Sequence, residues 1–193
     1  INAEYGDQMG GDQSKKLQEI QIQQQIKQIL EQIDKKMDIA LIGPEGSGKS
    51  SLLQNLDIGA IKSMHSNGQQ MEYVKYKQVT LVSWDIFDGS KLKVGHEMLG
   101  LILLLDGTDN NQFSQNAKFL KELLQKQLFK PVVIIMNKSD KGIKLTKENI
   151  ISELGLRDIN INYQITESSV QQGYGIVDSL NWIIEQLCPD KDK

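Results

Sequence analysis

An α/β fold, a mostly parallel six-stranded sheet with helices on both faces, follows from three observations in the 193-residue sequence. From residue 38 onward, short apolar runs alternate with amphipathic segments, the pattern of strands joined by crossover helices. The run from Leu99 to Leu105 is apolar almost throughout, as in a strand buried on both faces. Between the first strand and the first helix of this pattern lies a glycine-rich turn, Gly43 to Gly48.

The elements are predicted in order. Residues 1–13 are polar and glycine-containing and read as a loose tail. In the Gln-rich segment 14–37, Ile22, Ile26, Ile29, Ile33 and Met37 recur at spacings of four and three, which places them on one face of a helix. That helix either packs on its own domain or docks on a partner; its polar face is mostly Gln, which disfavours a membrane surface. Asp38–Ile42 reads as a strand and Lys49–Leu56 as a helix. Met71–Tyr76 and Val79–Trp84 form a hairpin. Leu99–Leu105 and Val132–Met136 are buried strands, and Phe113–Leu128 lies between them as a helix. Thr146–Leu154 is a helix with Thr146 as N-cap and Gly155 as its stop. Ile161–Thr166 is a further strand and Tyr174–Leu187 the closing helix, leaving 38–188 as one domain and 189–193 as a tail.

Hydrophobic residues make up 39% of the chain, enough for a core. The net charge is −3 and no Lys/Arg block stands out, so nothing electrostatic points to nucleic acid. The single cysteine, Cys188, excludes an internal disulfide and a cysteine-rich metal site. It suggests a reducing compartment, on the cytoplasmic side. The longest apolar run, Met98 to Leu105, is far short of the roughly 20 residues that span a bilayer. The sequence opens at Ile1 rather than Met, so a lipidation or targeting signal ahead of it is not read.

Two motifs carry the chemistry. Gly43-Pro44-Glu45-Gly46-Ser47-Gly48-Lys49-Ser50 fits G-x-x-x-x-G-K-[ST] between a strand and a helix. Its glycines let successive N–H groups converge on one anion. Lys49 would reach the β- and γ-phosphates, and the Ser50 hydroxyl would ligate Mg²⁺. Asn137-Lys138-Ser139-Asp140 follows the strand Val132–Met136. The Asp140 carboxylate, an acceptor-only fork, suits the adjacent N1–H and N2–H₂ donors of guanine, a pair adenine lacks. Asn137 would brace the loops and the Lys138 stem would cover the base.

With these motifs, residues 38–188 resemble the Arf family of small GTPases, which includes Arf-like proteins and the related β subunit of the signal-recognition-particle receptor. Val74-Lys75-Tyr76-Lys77-Gln78-Val79-Thr80-Leu81, then Trp84-Asp85-Ile86, is similar to the family's interswitch hairpin and W-D-V. Gly173-Tyr174-Gly175-Ile176 and Asn181-Trp182-Ile183 resemble G-D-G-L and D-W-L of its last helix, and Ile150 to Leu156 resembles the segment after N-K-x-D. The resemblance implies GTP or GDP with Mg²⁺ as cofactors. It implies phosphate contacts from Gly43, Glu45, Gly46, Ser47, Gly48, Lys49, Ser50 and Ser51, and base contacts from the loop carrying Ser169 and Val170. It also implies protein partners through the switch and interswitch face and through the N-terminal helix.

The switches depart from the family. Where switch I has a metal-binding Thr, the sequence reads His65-Ser66-Asn67-Gly68: Ser66 is either a metal ligand or part of a Ser-Asn-Gly turn. Switch II reads Asp85-Ile86-Phe87-Asp88-Gly89-Ser90, with Asp85 kept for the metal's water shell but no Gln to orient an attacking water. No catalytic residue is assigned; His65 and His96 read as surface histidines, and Trp84 and Trp182 as core. Two functions fit: a nucleotide-binding protein with slow or deficient GTP hydrolysis, or a structural subunit of a larger assembly in which nucleotide is static or absent.

Overall fold

The computed structural model describes residues 37–56, 62–66, 69–77, 79–85, 98–126 and 131–188. The tail predicted over 1–13, the helix predicted over 14–37 (Met37 apart), switch residues 86–90, His96 and the tail 189–193 lie outside the described residues. Met37 opens the first strand.

In chain order the elements are β1 (Met37–Gly43), α1 (Lys49–Asn55), β2 (Lys62–Ser66), β3 (Gln69–Tyr76), β4 (Val79–Asp85), β5 (Gly100–Asp106), α2 (Asn110–Gln125), β6 (Val132–Asn137), α3 (Lys147–Leu154), β7 (Tyr163–Glu167) and α4 (Ile176–Leu187). The strands form one sheet in the order β2-β3-β4-β1-β5-β6-β7. β1 runs parallel to β4 and β5, and β5, β6 and β7 are parallel in turn. The β2–β3 and β3–β4 pairings are antiparallel.

All six predicted strands form, and Lys62–Ser66 adds a seventh at the edge. Its sequence, Lys-Ser-Met-His-Ser, carries one strongly apolar residue and therefore no period-2 signal. Its register pairs Ser66 with Gln69 of β3, and Asn67 and Gly68 lie outside the described residues.

The two faces of the sheet divide the core. Leu101, Leu103 and Leu105 of β5 cluster with Phe113, Leu120 and Leu124 of α2 and with Ile150 and Leu154 of α3. The alternate residues Ile102 and Leu104 cluster with Leu52 and Leu53 of α1 and with Leu180, Ile183 and Ile184 of α4. Period-2 alternation thus delivers one apolar run to both layers. Each fully buried Leu or Ile stabilises by about 1.5–3 kcal/mol.

Helix ends follow local chemistry. α2 starts at Asn110, ahead of the predicted Phe113, because the Asp109 carboxylate accepts the Gln112 N–H at 2.9 Å. α3 is capped as predicted: Thr146 Oγ1 accepts the Asn149 N–H at 3.1 Å, and Gly155 ends the helix at φ 63°. α4 starts at Ile176 rather than Tyr174, since Gly175 stands at φ 76°. No helix among the described residues is long and apolar enough to cross a membrane.

Candidate nucleotide site

Parallel strands leave their carboxyl ends along one edge of the sheet, the edge where open α/β folds place ligands. β1 ends at Gly43, β4 at Asp85, β5 at Asp106 and β6 at Asn137. The register pairs Gly43 with Asp85 and Asp106 with Asn137, so the predicted loop, metal and base residues start from one sheet edge.

The glycine-rich turn runs from Gly43 to Gly48. A Cβ on Gly43 would stand 2.1 Å from the Leu104 carbonyl oxygen, so only glycine fits against the neighbouring strand. Gly48 takes φ 105°, and a Cβ there would meet Asn137 Nδ2 at 2.5 Å. Glu45 and Gly46 form the exposed tip, and the Glu45 carbonyl accepts from Gln112 Nε2 of α2 at 3.1 Å. Ser47 is fully buried; its N–H donates to the Pro44 carbonyl at 3.2 Å, and its Oγ has no hydrogen-bond partner. Lys49, 5% exposed, donates from Nζ to the carbonyls of Gly43 and Pro44, both at 2.8 Å. Its ammonium is therefore held at the mouth of the turn. Ser50 Oγ donates to Glu72 Oε2 of β3 at 2.9 Å, which brings a carboxylate to the predicted metal-binding hydroxyl. Ser51, exposed on the first turn of α1, lines the adjoining cleft.

That cleft, of about 390 Å³, is bounded by Gly48, Ser51, Asn137, Lys138, Asp140 and Val170, with Gln54, Asn55, Lys141 and Gln171 around them. Asn137 is 3% exposed and joins three segments. Its Nδ2 donates to the Ser47 carbonyl at 2.9 Å, and its Oδ1 accepts from Val170 N at 3.0 Å and from Ser168 Oγ at 3.3 Å. This is the bracing expected from the motif. Asp140 Oδ1 accepts from the buried Ser169 Oγ at 2.6 Å, which orients the carboxylate. Ser169 Oγ in turn accepts the Gln172 N–H at 3.2 Å. The Ser169 N–H donates to the Tyr174 carbonyl at 3.1 Å, and the Val170 N–H goes to Asn137. Both predicted base-contacting amides are thus engaged within the protein, Val170 alone of the two lining the cleft, and Asn55 Nδ2 donates to the Val170 carbonyl from α1.

Lys138 stands in the left-handed region at φ 67°. Its Nζ donates to Asp106 Oδ2. Asp106 Oδ1 accepts from Thr108 N at 2.9 Å and Thr108 Oγ1 at 2.7 Å. Burial alone would raise the Asp106 carboxyl, but the bonds from Lys138 and Thr108 outweigh it and hold the group below its usual range.

The predicted residues from Gly43 to Ser51, with Asn137, Lys138, Asp140, Ser169 and Val170, gather around one loop and one cleft. Ser66 is set apart. It ends the outermost strand, three strands from β1, roughly 14 Å at ordinary strand spacing. Sequence reasoning missed Glu72, Asp106, Gln112 and Asn55. Asp106 carries a readable signal, a carboxylate ending a continuous apolar strand and followed two residues later by a Thr.

A family model described as ADP-ribosylation factor family (Arf) matches residues 23–187. ADP-ribosylation factor-like protein 1 of Saccharomyces cerevisiae is 26% identical over 163 residues, which span 80% of this chain and 89% of that protein. The solved structure of the Arl6 BBS3 small GTPase from Trypanosoma brucei with bound nucleotide analogue GppNp matches with a TM-score of 0.62 at 17% identity, over 78% of this chain and 96% of that one. At that identity the likeness speaks for the fold.

Proposed function

The chain belongs to the ADP-ribosylation factor family, and on that premise we propose that it binds GTP and GDP with Mg²⁺ and hydrolyses GTP slowly. One observation carries the reading above the others: Asn137 Nδ2 donates to the Ser47 carbonyl and so couples the phosphate loop to the base motif. The cleft beside that bond presents a carboxylate acceptor suited to the donor pair of guanine, with Asp140 oriented by Ser169 and Lys138 on its wall.

Each group has a task. The turn from Gly43 to Gly48 and the Lys49 ammonium would hold the phosphates. Ser50 would ligate the metal, with Glu72 close enough to orient its water shell. The metal supplies charge neutralisation at the phosphates. Asp140 would accept both donors of the guanine edge. Slow hydrolysis is inferred from the sequence Asp85-Ile86-Phe87-Asp88-Gly89-Ser90, which offers no Gln to position water. Such a protein acts through bound nucleotide and partner surfaces, the interswitch face and the N-terminal helix being the proposed ones.

A single-turnover assay with γ-labelled GTP tests the reading. The expected outcome is tight GTP binding, no displacement by ATP, and a rate no faster than roughly 10⁻⁴ s⁻¹. Equal displacement by ATP overturns the guanine assignment. A rate near 1 s⁻¹, the scale reached only with a complete set of catalytic groups, overturns slow hydrolysis.

A further inference from the structure

We propose that Asp106 is a positioning residue for base recognition: it fixes the Lys138 side chain as one wall of the cleft. The inference deepens the guanine-nucleotide reading and rests on it.

Lysine is a poor wall by itself. Its four-carbon stem carries several rotatable bonds, and ordering it on ligand binding costs rotamer entropy. Here both ends of the residue are fixed beforehand. The backbone stands at φ 67° and ψ 34°, a region non-glycine residues adopt at a cost, and it turns directly into the short 3₁₀ turn Ser139–Lys141. At the far end, the ammonium is held by Asp106 Oδ2. The carboxylate is itself held, since Oδ1 takes two bonds from Thr108, at 2.9 Å from N and 2.7 Å from Oγ1. The two side chains are 13% and 27% exposed for Asp106 and Lys138, so the pair is shielded from much of the solvent screening. The parallel register that sets Asp106 opposite Asn137 places this anchor at the root of the base motif. Lys138, fixed at both ends, is one of the residues that line the cleft. The arrangement is preorganisation: the wall is in place before the base arrives.

Asp106→Asn keeps the shape and an acceptor for Thr108, but turns an amide toward the ammonium. Lys138→Met keeps an apolar stem and removes the charge. Calorimetry with GDP on the full chain should show the dissociation constant rising about tenfold for each variant, the scale of one charge-assisted hydrogen bond. The double variant should be no weaker than Lys138→Met alone, because Asp106 acts through Lys138. Inorganic pyrophosphate, which has no base, should compete equally well against all four proteins. Thr108→Val, which loosens the carboxylate without removing charge, should weaken GDP by about twofold to threefold, and by nothing in the Lys138→Met background. It serves as the test should Asp106→Asn not fold.

Losses that add in the double variant overturn the proposal, as does an equal loss of pyrophosphate affinity, which would mark Asp106 as a structural clamp on the whole site. Unchanged GDP affinity in Asp106→Asn overturns it as well. Failure of the unmutated chain to bind GDP is a separate result: it removes the guanine reading, whereas GDP binding that ignores Asp106 removes only this proposal.

Discussion

The two ends of the site are built by different means. At the base end, each functional side chain is held by a residue distant in sequence: Asn137 by Ser47, Ser168 and Val170, Asp140 by Ser169, Lys138 by Asp106. At the phosphate end, shape comes from the backbone. Gly43 and Gly48 take conformations and contacts closed to other residues, and Lys49 folds onto the carbonyls of its own turn. Side-chain networks tolerate no missing member without leaving a buried polar group unpaired. A backbone turn loses only what the altered side chain itself supplied. Damage should therefore spread at the base end and stay local at the phosphate end.

The strongest way to break that comparison is Lys49→Ala. It should lower GDP affinity by roughly a hundredfold or more, as expected for losing charge-assisted bonds in a preformed anion site, while the thermal melting point stays near that of the unmutated protein. Calorimetry and a melting curve check both halves. Unchanged affinity would remove the loop from phosphate binding, and a collapse of the melting point would show that the two ends are one cooperative unit.

Asp140→Asn comes next. It should weaken GDP by about tenfold to a hundredfold and improve xanthosine diphosphate, because an amide presents a donor where xanthine carries a carbonyl. Competition of GDP against the xanthine nucleotide on both proteins reads the exchange. Equal weakening of the two nucleotides would mean the carboxylate acts on the frame and not on the base.

The smallest effect sharpens the comparison most. Ser169→Ala leaves Asp140 in place but removes its brace and strips the Gln172 N–H of its acceptor. The cost should be about 1 kcal/mol, or roughly fivefold in GDP affinity, with preference for guanine over xanthine retained. A reversal of that preference would show that Ser169 takes part in reading the base.

The same division explains what was legible in the sequence. The phosphate loop is written in eight contiguous residues, because a turn needs its glycines at fixed offsets. The base motif is contiguous too, and the buried strands before both motifs announce themselves as apolar runs. Asp106 and Glu72 are different. Asp106 matters because parallel register sets β5 against β6, and Glu72 because β3 brings it to Ser50 across 22 residues of chain. Register is a property of the assembled sheet, and no local window states it. Lys62–Ser66 escaped for a related reason: an edge strand can be polar on both faces, so it leaves no alternation to count. Ser66 ends this edge strand opposite Gln69 of β3.

The bond between Asn137 and Ser47 spans 90 residues, and that between Asn55 and Val170 spans 115. A ribosome adding 5–20 residues per second needs roughly 4.5–18 s to cover the shorter interval. During that time the phosphate turn already exists as sequence, but the residues that brace it have not been made. A nascent chain therefore passes through a period in which it carries the glycine-rich turn with no cleft beside it, and the cleft is completed only with the last strand and the loop that follows it.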